Sequence, residues 1–131
     1  MTTEKLQIYR CEVCGNLVQV LLGGIGELVC CSREMKLQIP QHDTGELGEK
    51  HAPKQEIRDG KKYVTVKNHP MTGDHYIQLI EVYKKDKSGL RLKYFEPKDT
   101  PKLEIPCPED IEALEFCNIH GLWGEDYNGQ R

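Results

Sequence analysis

The sequence has no hydrophobic run of membrane-spanning length and no excess of basic residues. A transmembrane helix needs about 20 consecutive apolar residues, and no segment of this chain approaches that length. The 18 Lys and Arg residues are outnumbered by 21 Asp and Glu residues, which gives a formal net charge of −3. Because nucleic-acid-binding domains usually carry a basic face, we expect this protein to bind neither membranes nor nucleic acid.

The N-terminal segment MTTEKLQIYR also lacks the apolar stretch of a secretory signal peptide. This absence predicts a cytoplasmic location, where clustered cysteines more often bind metal than form disulfides. The chain has six cysteines, and four of them, at positions 11, 14, 30 and 31, lie within 21 residues. We therefore expect a metal site close to the start of the chain.

Domain organisation follows from the same region. Residues 1–38 contain the four clustered cysteines and few residues that could form a hydrophobic core. A unit of fewer than about 40 residues usually needs a metal, disulfides or a partner to fold. The polar run QHDTGELGEK after Pro40 indicates a linker. We predict a small metal-stabilised domain over residues 1–38 and a larger domain over residues 39–131.

The larger domain has the pattern of an all-β fold. Asp59-Gly60 separates two extended runs in KQEIRDGKKYVTVK, which is a strong hairpin signal. Ser88-Gly89 similarly follows HYIQLIEVYKK, while KLEIP and EALEFCNI are further candidate strands. Only PEDIEALE suggests a single helical turn. Short strands separated by turn signals predict a β-sandwich.

The four early cysteines can form a tetrahedral cage for zinc or iron. Cys11 and Cys14 form a Cys-x-x-Cys knuckle with Gly15 behind it, but Cys30 and Cys31 are adjacent. Neighbouring side chains of an extended strand point to opposite faces. The backbone must therefore twist at this pair to direct both thiolates inward. The cluster alone does not distinguish zinc from iron.

A second candidate site combines histidines with a cysteine of the larger domain, in the segments GEKHAPK, HPMTGDH and CNIHG. Its five candidate ligands are His51, His69, His75, Cys117 and His120. Structural zinc almost always has four ligands, so four imidazoles, one thiolate and an open sixth position favour a redox iron. We interpret His42 as an exposed linker residue and Cys107 as a spare thiol.

These motifs together resemble the desulfoferrodoxin family, the two-iron class of superoxide reductase, along essentially the whole chain. The N-terminal cysteine pattern is similar to a desulforedoxin-like domain with a rubredoxin-type Fe(Cys)₄ centre. GEKHAP, HPMTGDHYI and CNIHGLW are similar to the three motifs that form the catalytic iron site of that family. The resemblance implies iron at both sites, an immunoglobulin-like sandwich and a homodimer.

The resemblance also implies a role for each residue of the second site. The equatorial ligands would be His51, His69, His75 and His120, with Cys117 as the axial thiolate. Superoxide would take one electron from the ferrous iron and leave as hydrogen peroxide, which detoxifies reactive oxygen and requires an external donor such as rubredoxin. Glu49 is similar to the carboxylate that closes on the ferric iron. Lys50 is similar to the cation that attracts superoxide and holds a proton-delivering water.

Two other functions are compatible with the residues alone. The first is a zinc ribbon attached to a sandwich that recognises a partner, which would be colourless. The second is a different redox role, either a one-electron carrier or a dismutase, and a dismutase needs no external electrons. Without the family resemblance, Glu49 and Lys50 would be interpreted as an ordinary solvated pair.

Overall fold

The computed structural model describes residues 2–42, 45–105 and 110–125. Packing divides the chain into two compact units, Met1–Ile39 and Pro40–Arg131. Almost every regular element is a β-strand, which confirms the predicted all-β class. Within the described ranges, no helix is both long enough and apolar enough to cross a membrane.

The first unit consists of very short strands. These are β1 (Ile8–Arg10), β2 (Leu17–Gln19), β3 (Val29–Cys30), β4 (Arg33–Glu34) and β5 (Lys36–Leu37). The antiparallel order is β2-β1-β5, and β3 pairs with β4 as a separate hairpin. Its described core is small, with Ile8, Tyr9, Cys11 and Val20 as the buried apolar residues. Such a core is too small to stabilise a unit of this size by apolar burial alone.

The second unit contains two antiparallel sheets and one short helix. The elements are α1 (Glu46–His51), β6 (Lys54–Arg58), β7 (Lys61–Thr65), β8 (Ile77–Lys84), β9 (Leu90–Tyr94), β10 (Lys102–Ile105), β11 (Ile111–Cys117) and β12 (Gly121–Gly124). One sheet has the order β10-β7-β6 and the other has the order β12-β11-β8-β9. This arrangement is the predicted sandwich.

Alternation along the strands builds the sandwich core. In β10, Leu103 and Ile105 are buried while the residues between and before them are exposed. Val64 of β7 contributes from the same sheet, and Ile80 and Ala113 contribute from the opposite sheet. Since successive side chains of a strand point to opposite faces, each sheet directs one apolar face inward.

The predicted hairpin at Asp59-Gly60 is confirmed, because these two residues join β6 to β7 with φ angles of 54° and 77°. Positive φ at both central positions is typical of the type I′ turn.

Three features differ from the sequence expectations. Residues 46–51 form the helix α1 rather than a linker and loop, because six residues are too few for a helical period to stand out. β12 was not predicted, since its four residues begin and end with glycine. Residues 111–115 of PEDIEALE belong to strand β11, so the suggested helical turn is wrong there. Cys107 lies outside the described residues.

Candidate metal centres

The four N-terminal sulfur atoms lie within 4.8 Å of one another. Cys14 Sγ is 3.6 Å from Cys30 Sγ, and Cys30 Sγ is 4.0 Å from Cys31 Sγ. Four thiolates at about 2.3 Å from a tetrahedral ion are separated by about 3.8 Å. The observed distances fit this geometry, so the cluster is suited to an iron or zinc ion.

The backbone supplies the twist that two adjacent cysteines require. Cys31 and Ser32 have φ angles of 54° and 61°, in the left-handed region. Gly15 has a φ of 85° and closes the turn after Cys14. Without the left-handed residues, Cys30 and Cys31 would point to opposite faces of the strand.

The electrostatics of the cluster explain its need for a cation. The backbone N–H of Cys14, 3.4 Å from Cys11 Sγ, lowers the pKa of Cys11 to about 6. In contrast, contacts with the sulfur atoms of Cys14 and Cys11 raise the pKa of Cys31 to about 12. Four sulfur atoms at these distances cannot all become thiolates unless a cation compensates the added negative charge.

The second cluster is a ring of four imidazoles in the larger unit. Neighbouring ring centroids are 4.4 to 4.9 Å apart in the order His51, His69, His75, His120 and back to His51. The centroids of His51 and His75, across the ring, are 5.7 Å apart.

Nitrogen atoms from three of these imidazoles converge on one point. His120 Nδ1 lies 3.0 Å from His51 Nε2 and 3.2 Å from His75 Nε2. Two nitrogen ligands at right angles, each about 2.1 Å from a metal ion, are separated by about 3.0 Å. The ring therefore fits adjacent positions around one ion.

A buried sulfur atom completes the cluster. Cys117 has no exposed surface, and its Sγ lies 3.4 Å from His69 Nε2. The ligand atoms of Cys117, His51, His75 and His120 all lie within 4.8 Å of one another. Four of the five residues that the sequence nominated therefore form one group of converging ligand atoms, and His69 lies beside this group through its contact with Cys117.

Four separate segments deliver these ligands. His51 is the last residue of α1, and His69 and His75 lie in the loop between β7 and β8. Cys117 ends β11 at a register shift in its pairing with β8, and His120 lies in the turn before β12. Such bulges redirect a side chain at the end of a strand.

His51 is held in orientation by two neighbours. Its Nδ1 is 2.8 Å from the carbonyl oxygen of Leu47, so a proton on Nδ1 leaves Nε2 free to bind metal. Its ring also stacks on Trp123, with centroids 4.9 Å apart. Burial lowers the pKa of His51, and it lowers the pKa of His69 to about 3. Burial therefore favours the neutral form of these two imidazoles, which is the form that binds metal.

Glu49 and Lys50 precede His51 in α1. Glu49 is exposed, and the Lys50 side chain, 45% exposed, has its Nζ 3.6 Å from Glu46 Oε1. Burial is the main cause of the lowered pKa of His75, and the positive charge of Lys50 contributes to it. The field of Lys50 therefore reaches the imidazole ring. His42 is exposed, as expected, and its Nδ1 lies 2.7 Å from the Glu125 carbonyl oxygen.

Sequence reasoning missed Asn118, which connects two ligand-bearing segments. Its Oδ1 accepts a hydrogen bond from the Tyr76 backbone N–H at 2.9 Å, and its Nδ2 donates one to the Asp74 carbonyl oxygen at 3.0 Å. These bonds flank His75 on both sides, whereas Asn118 itself follows Cys117. The amide therefore ties the His75 loop to the Cys117 turn.

Glu115 was also missed. It is fully buried, and neither carboxylate oxygen has a hydrogen-bond partner among the described residues. Burial raises the pKa of this carboxyl group well above its usual range, and Cys117 adds to the effect. The two-residue period of a strand could have predicted its burial, because Glu115 lies on the same strand face as the buried Ile111 and Ala113.

Comparisons with known proteins agree with both clusters. The family model "Desulfoferrodoxin, N-terminal domain" matches residues 3–38, and the model "Desulfoferrodoxin" matches residues 43–126. A desulfoferrodoxin homolog from Archaeoglobus fulgidus is 45% identical over 92% of this chain and 97% of its own length.

Two solved structures are similar to this chain. The superoxide reductase from Treponema pallidum has a TM-score of 0.65 at 24% identity, covering 95% of this chain and 100% of that one. A superoxide reductase (neelaredoxin) variant from Ignicoccus hospitalis has a TM-score of 0.50 at 26% identity, covering 63% and 81%. The first supports the fold of the whole chain, and the second covers a smaller part of it. Since the two family models together account for most of the sequence, and a relative of nearly equal length is 45% identical, the chain belongs to the desulfoferrodoxin family.

Proposed function

We propose that this protein is a superoxide reductase, which transfers one electron to superoxide and releases hydrogen peroxide. The observation that carries the proposal is the cluster of three imidazoles and the buried Cys117 sulfur atom, whose ligand atoms lie within 4.8 Å of one another, with the His69 ring beside them. Five donors exceed the usual number for structural zinc, and this set suits a redox-active iron. The name of the similar Ignicoccus hospitalis protein supports the same activity.

Each unit has its own part in this proposal. Residues 1–38 form a desulforedoxin-like domain in which Cys11, Cys14, Cys30 and Cys31 would hold one iron. Residues 39–131 form the catalytic domain, in which His51, His69, His75, His120 and Cys117 would hold a second iron. When bound there in its ferrous state, iron supplies the single electron that superoxide accepts.

The residues beside this centre handle the substrate and its protons. Lys50 attracts the superoxide anion, because a cation beside the site raises the local concentration of a small anion. Its ion pair with Glu46 does not neutralise it effectively, since the Glu46 side chain is 84% exposed and surface pairs are weak. Lys50 also holds a water that donates a proton. Glu49, one residue earlier, has an exposed carboxylate that would assist release of the product from the metal site.

The reaction consumes one electron per turnover, so a donor protein is required. We assign this role to a rubredoxin-like one-electron carrier. We further propose that the protein is a cytoplasmic homodimer that removes reactive oxygen.

Stoichiometry tests the proposed reaction. A reductase consumes one donor electron and two protons for each superoxide and produces one hydrogen peroxide. A dismutase would consume no donor electrons and would produce one peroxide and one dioxygen for every two superoxides. We expect one peroxide per superoxide with reduced rubredoxin as the donor, measured together with iron content and the visible spectrum. Rapid superoxide loss without any reductant, or a colourless zinc-loaded protein, would contradict the proposal.

Substitution of single cysteines separates the two centres. Cys117→Ser replaces a soft thiolate with a hydroxyl that binds iron poorly at neutral pH. We expect the thiolate-to-iron charge-transfer band of the second centre and the reductase activity to be lost. Cys14→Ser is the matched control, which should change the first centre and leave most superoxide reduction intact. Loss of the second-centre band in Cys14→Ser would show that the two centres depend on each other.

Lys50 and Glu49 should affect different steps. Lys50→Ala should slow the second-order reaction of the reduced enzyme with superoxide and reduce its salt dependence, because screening acts over roughly 8–10 Å near physiological ionic strength. Glu49→Ala should leave that rate nearly unchanged and alter the spectrum of the oxidised enzyme. Pulse radiolysis of both variants across ionic strength measures these effects. An unchanged rate and salt slope in Lys50→Ala would exclude the steering role.

Asn118 should control retention of the second metal. Asn118→Asp keeps an acceptor for the Tyr76 N–H but places a second oxygen against the Asp74 carbonyl oxygen. Loss of such a supporting contact typically reduces metal affinity about 10- to 100-fold. Iron release to a chelator, followed at the charge-transfer band, should be faster by roughly that factor. Asn68→Asp adds the same charge at an exposed position beside His69, and equal iron loss in both variants would contradict the positioning role.

A further inference from the structure

An open cleft of about 720 Å³ lies in the larger unit. Its walls come from β6, from β7 with the loop that follows it, and from the segment between β9 and β10. These walls include one ligand of the second cluster, His69. No other residue of the two metal clusters lines the cleft.

The charged side chains of the cleft are mostly basic. Four cations line it, namely Arg58, Lys67, Lys98 and Lys102, against the two acids Glu56 and Asp99. The cleft therefore carries a net charge of 4 − 2 = +2, whereas the whole chain has a net charge of −3. This local excess of positive charge is opposite in sign to the protein as a whole.

The two acids neutralise only part of this charge. Glu56 contacts Lys67 and lies 3.4 Å from Arg58 Nη2. A hydrogen bond from Lys67 is the main cause of the lowered pKa of Glu56, and the charges of Arg58 and Lys102 add smaller contributions. This acid is therefore ionised, and its ion pairs are with Lys67 and Arg58. Asp99 Oδ2 accepts a hydrogen bond from the Glu96 backbone N–H at 2.8 Å and is directed into its own turn.

The other two cations of the cleft are exposed to solvent, where a partner protein could contact them. Lys98 and Lys102 are both exposed, and neither forms an ion pair within the part of the chain that the structure describes. Lys102 Nζ lies 4.9 Å from the centre of the Tyr63 ring, a contact that positions the side chain without neutralising it.

His69 connects this cleft to the second cluster. Its ring is half-buried and lines the cleft, while its Nε2 lies 3.4 Å from Cys117 Sγ. A redox group that reaches the inner wall of the cleft is therefore separated from the metal position by one imidazole ring.

We propose that this cleft is the docking site of the acidic one-electron carrier that reduces the protein. The inference rests on the proposed function, because only a reaction that consumes electrons needs such a partner. In this step the reduced carrier loses one electron and the oxidised iron gains it, and no bond to carbon, oxygen or hydrogen changes. Acidic side chains on the carrier would contact Lys98 and Lys102, with the carrier's redox group directed toward His69.

A protein surface suits the cleft better than a small anion. The cations come from three separate segments, and Lys67 and Arg58 already share Glu56 as an internal counter-ion. A small anion would have to compete with this carboxylate. Complementary charge on a protein surface instead accelerates encounter and orients the partner.

Binding of an oxidised rubredoxin of net negative charge to the iron-loaded protein tests the proposal. Isothermal titration calorimetry at low and at physiological ionic strength would give the dissociation constant for each variant. The test variant is Lys98→Glu/Lys102→Glu. The control is Lys85→Glu/Lys87→Glu, which makes the same change in net charge at exposed positions after β8. That turn is about 23 Å along the strand from Ile77, which pairs with Cys117.

We expect the test variant to lose at least ten-fold in affinity at low salt and to show a flatter salt dependence. The control should lose less than about three-fold. Equal losses of affinity in the two variants would show that the carrier responds only to the net charge of the protein. An unchanged affinity in the test variant would show that the carrier binds outside this cleft. Either result would overturn the proposal.

The proposed activity is checked separately from this docking site. The reaction of chemically pre-reduced wild-type protein with superoxide needs no carrier. Its failure would contradict superoxide reduction without altering the binding result, so the two proposals fail independently.

Discussion

Lone pairs directed at one another across about 3 Å repel unless a proton or a metal cation lies between them, and a metal can satisfy several converging donors at once, as both clusters of this protein require. In the larger unit, His120 Nδ1 faces two other imidazole nitrogens at 3.0 and 3.2 Å. In the smaller unit, the sulfur atoms are 3.6 to 4.0 Å apart. Metal binding is therefore coupled to folding at both positions.

The dependence is stronger in the first unit. Its described apolar core consists of only four buried residues, and several large apolar side chains are exposed, among them Leu22 at 83% and Ile25 at 96%. The metal supplies the cross-link that apolar burial does not. The second unit instead has an extensive core between two sheets, and this core holds the strand ends and loops in position for the metal.

The two groups of positive charge around the second centre have different proposed roles. Lys50, on α1 beside His51, is proposed to attract a small anionic substrate to the metal. The cleft cations Lys98 and Lys102 lie near His69 and suit a larger acidic partner. Separate sites for substrate and electron donor would allow both to approach a single metal without competing for the same surface.

The sequence by itself determined a great deal about this protein. Cysteine spacing and the histidine motifs nominated the residues of both clusters, since metal ligands must have particular donor atoms and these stand out in a short chain. The hairpin at Asp59-Gly60 was equally clear, because few residue pairs accept two positive φ angles.

Only the tertiary structure decided how these residues meet. The order of the imidazoles around the ring, the register shift at Cys117 and the Asn118 link to the His75 loop depend on contacts between segments far apart in the sequence, such as Asn118 and Tyr76, which are 42 residues apart. The helix α1 and strand β12 were missed for a related reason, since elements of six and four residues are stabilised by long-range contacts rather than by local pattern. The basic cleft had no signal in the sequence, because its charges come from three segments that only the folded sandwich brings together.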